Sequence, residues 1–220
     1  MRTLICTIVV LGCLTGAPAL AAQRSAGAKN LFYQPASARE ERLLYRAREM
    51  AARKDYPAAL ATFDELIAAQ PQFVMAITER GFTREDTGDL AGAMADYDAV
   101  LRLAPDRPNA WSHAGWIRAL RGVELDRALA YCDKAVSLDA SVDPLGSRGF
   151  VHFQRGEFGL AVADFDAALR LLPRTATTLY LRGLAKRRSG DLAGGEADIA
   201  KALKLNPGIV DHWKKLGIEA

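Results

Sequence analysis

Four glycines, Gly81, Gly115, Gly149 and Gly183, stand 34 residues apart, and Ala47 holds the same place one period upstream. Twelve residues after each comes a small residue: Ala59, Ala93, Ala161 and Gly195, with Ala128 one place late. Four residues further stands Phe63, Tyr97, Phe165 or Ile199, with Cys132 in the shifted copy. Eight more lead to Pro71, Pro105, Pro173 and Pro207, with Ala140 as the one substitute. A fixed period of this size means an array of one supersecondary unit that cannot bury its apolar surface alone and stacks on its neighbours.

The spacing inside one copy predicts two helices. Leu145, Gly149 and His152 fall at i, i+4 and i+7 on one helical face. Gly156-Glu157-Phe158 interrupts that pattern, and Ala161, Phe165 and Ala168 rebuild it on a second helix. The repeated glycine lies mid-helix, where it costs about 1 kcal/mol against alanine. Its return is close approach of the second helix. Leu172-Pro173 ends the pair, because proline has no N–H for the next helical hydrogen bond.

These residues and spacings resemble the tetratricopeptide repeat family across residues 40–209, 170 of the 220. The resemblance implies an all-α fold, a right-handed α-solenoid of five helix pairs at 40–73, 74–107, 108–141, 142–175 and 176–209. Residues 210–220 then form a C-terminal capping helix, in which Trp213, Leu216 and Gly217 repeat the register of Trp111, Ala114 and Gly115. In this family the first helices line a concave groove that holds a protein or peptide. Carried over by register, the groove holds Phe82, Trp116, Phe150 and Leu184 as a ladder, after Arg48 in the first copy. Thr78, Ser112, Phe153 and Tyr180 fall beside it, with Met75 and Asn109; Glu85 and Asp86 flank the second copy, and Arg187 and Arg188 the fifth. An apolar strip of this kind marks a partner site if its rings stay partly exposed, and plain helix packing if they do not. The lysine and asparagine clamp with which chaperone-binding members hold a C-terminal carboxylate is missing from Met75, Thr78, Glu79, Phe82, Ser112, His113, Trp116, Gly146 and Phe150.

A second regularity concerns charge. Arg80, Arg148 and Arg182 precede the repeat glycine, and Asp96, Asp164 and Asp198 follow sixteen residues later. The two types come and go together: the third copy has Ala114 and Tyr131, and the first has Arg46 with Thr62. Such co-occurrence predicts Arg–Asp bridges between paired helices rather than arginines reserved for a ligand. The third copy is also irregular. Gly122-Val123-Glu124-Leu125-Asp126 carries one extra residue, so the link after Ala140 must be one residue shorter.

Met1-Arg2, an apolar run from Leu4 to Leu14 and a small-x-small end at Ala19-Leu20-Ala21 have the layout of a signal peptide over residues 1–21. Residues 22–39 read as a flexible leader, with Leu31-Phe32-Tyr33 its one apolar spot. The expectation is an exported chain, periplasmic or secreted, not inserted in a membrane once the signal is cleaved. The alternative is a chain anchored through its N-terminal segment, whose lipidated form would begin at Cys13. Cleavage would leave Cys132 as the single thiol, at a packing position, so no internal disulfide can form. The formal charge of +3 is interspersed and gives no basic stripe for nucleic acid. His113, His152 and His212 lie at different helical phases, and no nucleophile elbow, phosphate loop or metal spacing is present. No catalytic, cofactor or metal site is expected. The reading is a non-enzymatic scaffold holding a partner peptide or helix; an anchored envelope or pilus assembly factor and an auxiliary module of an envelope enzyme complex are the alternatives.

Overall fold

The computed structural model describes residues 35 and 37–218. The signal peptide, most of the leader and Cys13 lie outside the described residues. Among those described, eleven α-helices and no strand occur: α1 (Ala38–Ala52), α2 (Tyr56–Ala69), α3 (Val74–Thr87), α4 (Leu90–Leu103), α5 (Pro108–Leu120), α6 (Leu125–Leu138), α7 (Val142–Gln154), α8 (Phe158–Leu171), α9 (Ala176–Arg188), α10 (Leu192–Leu205) and α11 (Ile209–Lys215). Neighbouring helices pack in pairs. The chain divides into two compact units within α5, one ending at Ala110 and the other beginning at Trp111.

Each pair is punctuated by its sequence. Ser37 opens α1 with a capping box, its hydroxyl accepting from the Glu40 N–H while the Glu40 carboxylate accepts from the Ser37 N–H. The side chains of Asp55, Asp89 and Asp191 cap α2, α4 and α10 by accepting from Ala58, Gly92 and Gly194. Each turn inside a pair holds a positive-φ residue that recurs at the same period, at Lys54, Gly88, Gly122, Gly156 and Gly190, and the longer third turn adds Glu124 at φ 49°. Pro71, Pro105, Pro173 and Pro207 all lie in the links between pairs. The third copy departs as its extra residue requires. Residues 121–124 separate α5 from α6, against 155–157 in the next pair, and the following link is 139–141, against 172–175.

Close approach is the use of the repeated glycine. A Cβ on Gly183 would sit 2.8 Å from the Gly195 carbonyl oxygen and 2.7 Å from Ile199, so backbone of α10 fills the space a side chain would need. A Cβ on Gly149 would meet the Phe165 ring at 2.9 Å. The small and large residues of the second helices accordingly form the core. In the unit up to Ala110, Ala59, Phe63, Leu66 and Phe73 are wholly buried beside Leu44 and Ala47. In the unit from Trp111, Ala128, Cys132, Ala161 and Phe165 are wholly buried with Val151, Leu181 and Ala202. Burial, with Asp133 adding to it, pushes the Cys132 thiol far above its ordinary range, so it stays a protonated packing group.

The charged pairs form as the co-occurrence predicts, with more partners than expected. Each arginine holds the aspartate of its own pair: Arg80 donates to Asp96 at 2.6 Å, Arg148 to Asp164 at 2.6 Å and Arg182 to Asp198 at 2.7 Å. Each also reaches the second helix of the preceding pair, at Asp64, Asp133 and Asp166 respectively. One guanidinium therefore ties three helices. A further cation four residues on completes the site: Arg84 lies 2.7 Å from Asp96 and Lys186 2.9 Å from Asp198, while His152 sits 3.8 Å from Asp164 and 2.6 Å from Glu157. Burial works against the Asp198 carboxylate, but hydrogen bonds from Arg182 and Lys186 outweigh it and hold its pKa below the usual range. In the third copy the charge has moved rather than vanished. Arg118, fully buried, places its guanidinium 4.9 Å from the Tyr131 ring centre and bonds Glu124 at 3.0 Å. In the first copy Arg46 is exposed and Thr62 donates to its own Ala58 carbonyl.

Candidate partner-binding face

The expected groove residues separate into two groups. In the unit up to Ala110, Phe82 is half-buried with its ring 5.9 Å from Tyr97, edge to face. The Thr78 hydroxyl is spent on the Val74 carbonyl at 2.8 Å, and Arg48 is held by Glu79 at 2.6 Å. Near Phe82, burial raises the Glu85 carboxyl to about 7, against the lowering effect of a hydrogen bond to Tyr97, with Asp86 adding a smaller upward push. The charge pattern alone gave Glu85 no special place; its neighbour Tyr97, a packing residue with a phenol tip, is the signal that marks it.

The unit from Trp111 gathers the other rungs and corrects their exposure. Phe150 is fully buried, against the partial exposure that an open partner strip requires; so are Tyr180 and Leu184, with Ser112 and Phe153 also inside. Among the rungs of this unit Trp116 alone is half-buried. Ser112 is held by a hydroxyl contact to Ser147 at 2.9 Å, and the Arg187 stem lies along Gly195 of α10.

The physical reason is α11. Its Trp213 is 2% exposed and lies 5.9 Å from Trp116, edge to face, and 5.5 Å from Phe150. Trp116 and Phe150 themselves approach to 4.6 Å, and Phe150 stacks on Phe153 at 6.4 Å. Ile209 and Ile218 join the same buried cluster, with Val210 and Leu216 at its edge. By register Trp213 matches Trp111, whose ring rests 5.1 Å from Tyr131 on the paired helix. Within the described residues no second helix follows α11, and its tryptophan rests instead on the first helices α5 and α7. The segment stops there because Gly217 takes a positive φ of 76°. The Ile218 N–H then reaches back to the Trp213 carbonyl and that of Gly217 to Lys214, a Schellman closure.

Burying one tryptophan removes 150–250 Å² from water, about 5 kcal/mol of driving force. Ordering the ten residues 209–218 opposes this by about 1 kcal/mol or more per residue. The tryptophan alone does not hold the segment, and Ile209, Leu216 and Ile218 must share the work. Among the described residues no side chain of 209–218 makes a hydrogen bond or ion pair to the rest of the chain, so the attachment is apolar. Beside Ile218 a cleft of about 270 Å³ stays open between Phe153, Phe158 and Arg188. Among the described residues no group of three or more His, Cys, Asp or Glu is placed to hold a metal.

Residues 46–112 and 148–210 each match the tetratricopeptide repeat family. The chain belongs to that family. Human tetratricopeptide repeat protein 13 is 26% identical over 167 residues, which cover 74% of this chain and 19% of that protein. The chain thus spans about a fifth to a quarter of the length of the curated relatives it matches. PilW, described as a widely conserved type IV pilus biogenesis factor, superposes with a TM-score of 0.70 at 20% identity, over 77% of this chain and 79% of PilW. A thermophilic tetratricopeptide protein of Thermus thermophilus superposes with a TM-score of 0.66 at 21% identity, over 81% of this chain and 97% of that one. At these identities the likeness establishes the tetratricopeptide fold. That fold serves protein–protein interaction, so protein partners in general follow from membership. No helix among the described residues is long and apolar enough to cross a membrane.

Proposed function

We propose that this tetratricopeptide protein is a non-enzymatic scaffold that holds a helix or peptide of a partner protein on its first-helix face. Trp116 and Phe150 anchor the occupant, with Phe153, Tyr180 and Leu184 packed behind them and Ser112 and Arg187 at the margins. Phe82 and Thr78 hold the matching register within the other unit. The observation that carries this reading is the seat of Trp213. A helix with an aromatic side chain already docks on Trp116 and Phe150 through apolar contact alone. Under this reading the repeats run from 40 to 209, residues 210–220 are the C-terminal cap, whose described helix is Ile209–Lys215, and residues 1–21 direct export to the periplasm or beyond. Central aromatic residues dominate interface energies, often at 2 kcal/mol or more.

The test is affinity capture from envelope extract with the mature chain, read by mass spectrometry. Trp116→Ala should lose its captured set by roughly thirtyfold, since each 1.4 kcal/mol is a factor of ten. Leu160→Ala, at an exposed position on α8, should leave capture intact. A captured set that survives Trp116→Ala would remove this face from the function.

A further inference from the structure

The seat of α11 does more than mark a docking face. Ile209, Trp213 and Leu216 fall at i, i+4 and i+7, so one face of the segment carries aliphatic, aromatic and aliphatic side chains in that order. Ile209 and Trp213 are both 2% exposed, while Lys214 and Lys215 on the opposite side are open to solvent. The helix is seven residues long, and Gly208 gives it no side-chain cap. A helix this short has little stability of its own and depends on the surface it lies on. All of its attachment is apolar and therefore exchangeable for another apolar helix. A cleft lined by Phe153, Gln154, Gly156, Phe158 and Arg188 opens beside Gly217 and Ile218, next to the end of the segment.

We propose that Ile209–Ile218 is a removable internal occupant of the partner site, an inference that rests on the scaffold function assigned to this face. The partner then presents an amphipathic helix of the same chemistry: an aromatic residue with aliphatic residues four before and three after it, continuing for a further turn into the cleft beside Phe158. Binding in trans requires the segment to leave, so the tethered copy sets a threshold that a weak or truncated ligand does not cross. Covalent tethering gives it an effective concentration in the millimolar range.

The probe is a fluorescein-labelled peptide of residues 206–220, followed by anisotropy with the whole folded chain. Wild type should bind it with a Kd of hundreds of micromolar or weaker, because the site is filled in cis. Trp213→Ala, and a chain ending at Gly208, should bind it at least tenfold more tightly, and adding Trp116→Ala to either should abolish the gain. Trp213→Phe, which keeps an aromatic ring in the seat, should behave closer to wild type. Equal binding by wild type and Trp213→Ala, or no binding by any of them, overturns the proposal. Hydrogen exchange on wild type covers the case in which the variants fail to fold. Amides of 209–218 should open at least tenfold more readily than those of α7 and α9; equal protection overturns it. A failed peptide result with capture still lost in Trp116→Ala would end the internal occupant and leave the docking face standing.

Discussion

The Arg148 guanidinium shows how a single side chain carries the repeat geometry. It binds both oxygens of Asp164 and a third oxygen on Asp133, so removing Asp164 leaves a positive charge with one partner at 3.3 Å. Breaking a buried pair costs 3–5 kcal/mol, and here about 3, because Arg148 is 26% exposed and keeps Asp133. Asp164→Ala should lower stability by that amount in denaturant titration, and Arg148→Ala with Asp164→Ala should recover part of it. Additive single and double effects would mean the pair contributes nothing jointly. Glu85 makes the opposite kind of statement. Its carboxyl is raised by burial to about 7 in the folded chain, against about 4.3 when unfolded. Between those values the folded state binds the extra proton, so the stability it brings is complete below about 4.3 and disappears as pH rises through 7. Glu85→Gln should remove this slope, worth at most about 3 kcal/mol, from unfolding curves taken between pH 5 and 8. A wild-type stability that rises over that window would contradict the buried, protonated carboxyl.

At the scale of the element, helix and turn positions were legible in the sequence because they follow local rules. Proline cannot continue a helix, glycine takes the positive φ of each turn, and an extra residue at 122–126 must be repaid before Leu145. The close helix contact at the repeat glycines was legible for the same reason. Gly183→Ala would place a Cβ 2.8 Å from the Gly195 carbonyl, a clash with backbone that no side-chain rotation relieves. It should cost about 1–3 kcal/mol in denaturant unfolding while leaving helical circular dichroism in place; an unchanged midpoint would mean α9 and α10 are further apart than described. Lys54 departs from the pattern, holding φ at 65° where the other turns have glycine, and the third turn adds Glu124 at φ 49° beside its Gly122. The further basic side chain of each copy, at Arg84, Arg118, His152 and Lys186, was also present in the sequence at a spacing of 34 residues. Its residue types differ from copy to copy, and the shared role appears only when each lies against its aspartate or, at Arg118, against Tyr131.

For the whole molecule, register gives Trp213 the phase of Trp111, but register describes a helix against its neighbours in an array. It says nothing of where a helix goes when, among the described residues, no partner helix follows it. That placement depends on which apolar surface is free, and the free surface is the face bearing Trp116 and Phe150. The adjacency of Trp116 and Phe150 was therefore visible in the sequence while the burial of Phe150 was not: it is covered by Trp213, 63 positions away. Under the proposed function this covered face and the partner site are one surface. The most direct measurement of this is elution. Partner protein captured on the immobilised chain is washed with excess peptide of residues 206–220, and in parallel with the same peptide carrying Trp213→Ala. The native peptide should release the partner and the alanine peptide should not. A partner that stays bound under saturating native peptide would place its site elsewhere and contradict the claim.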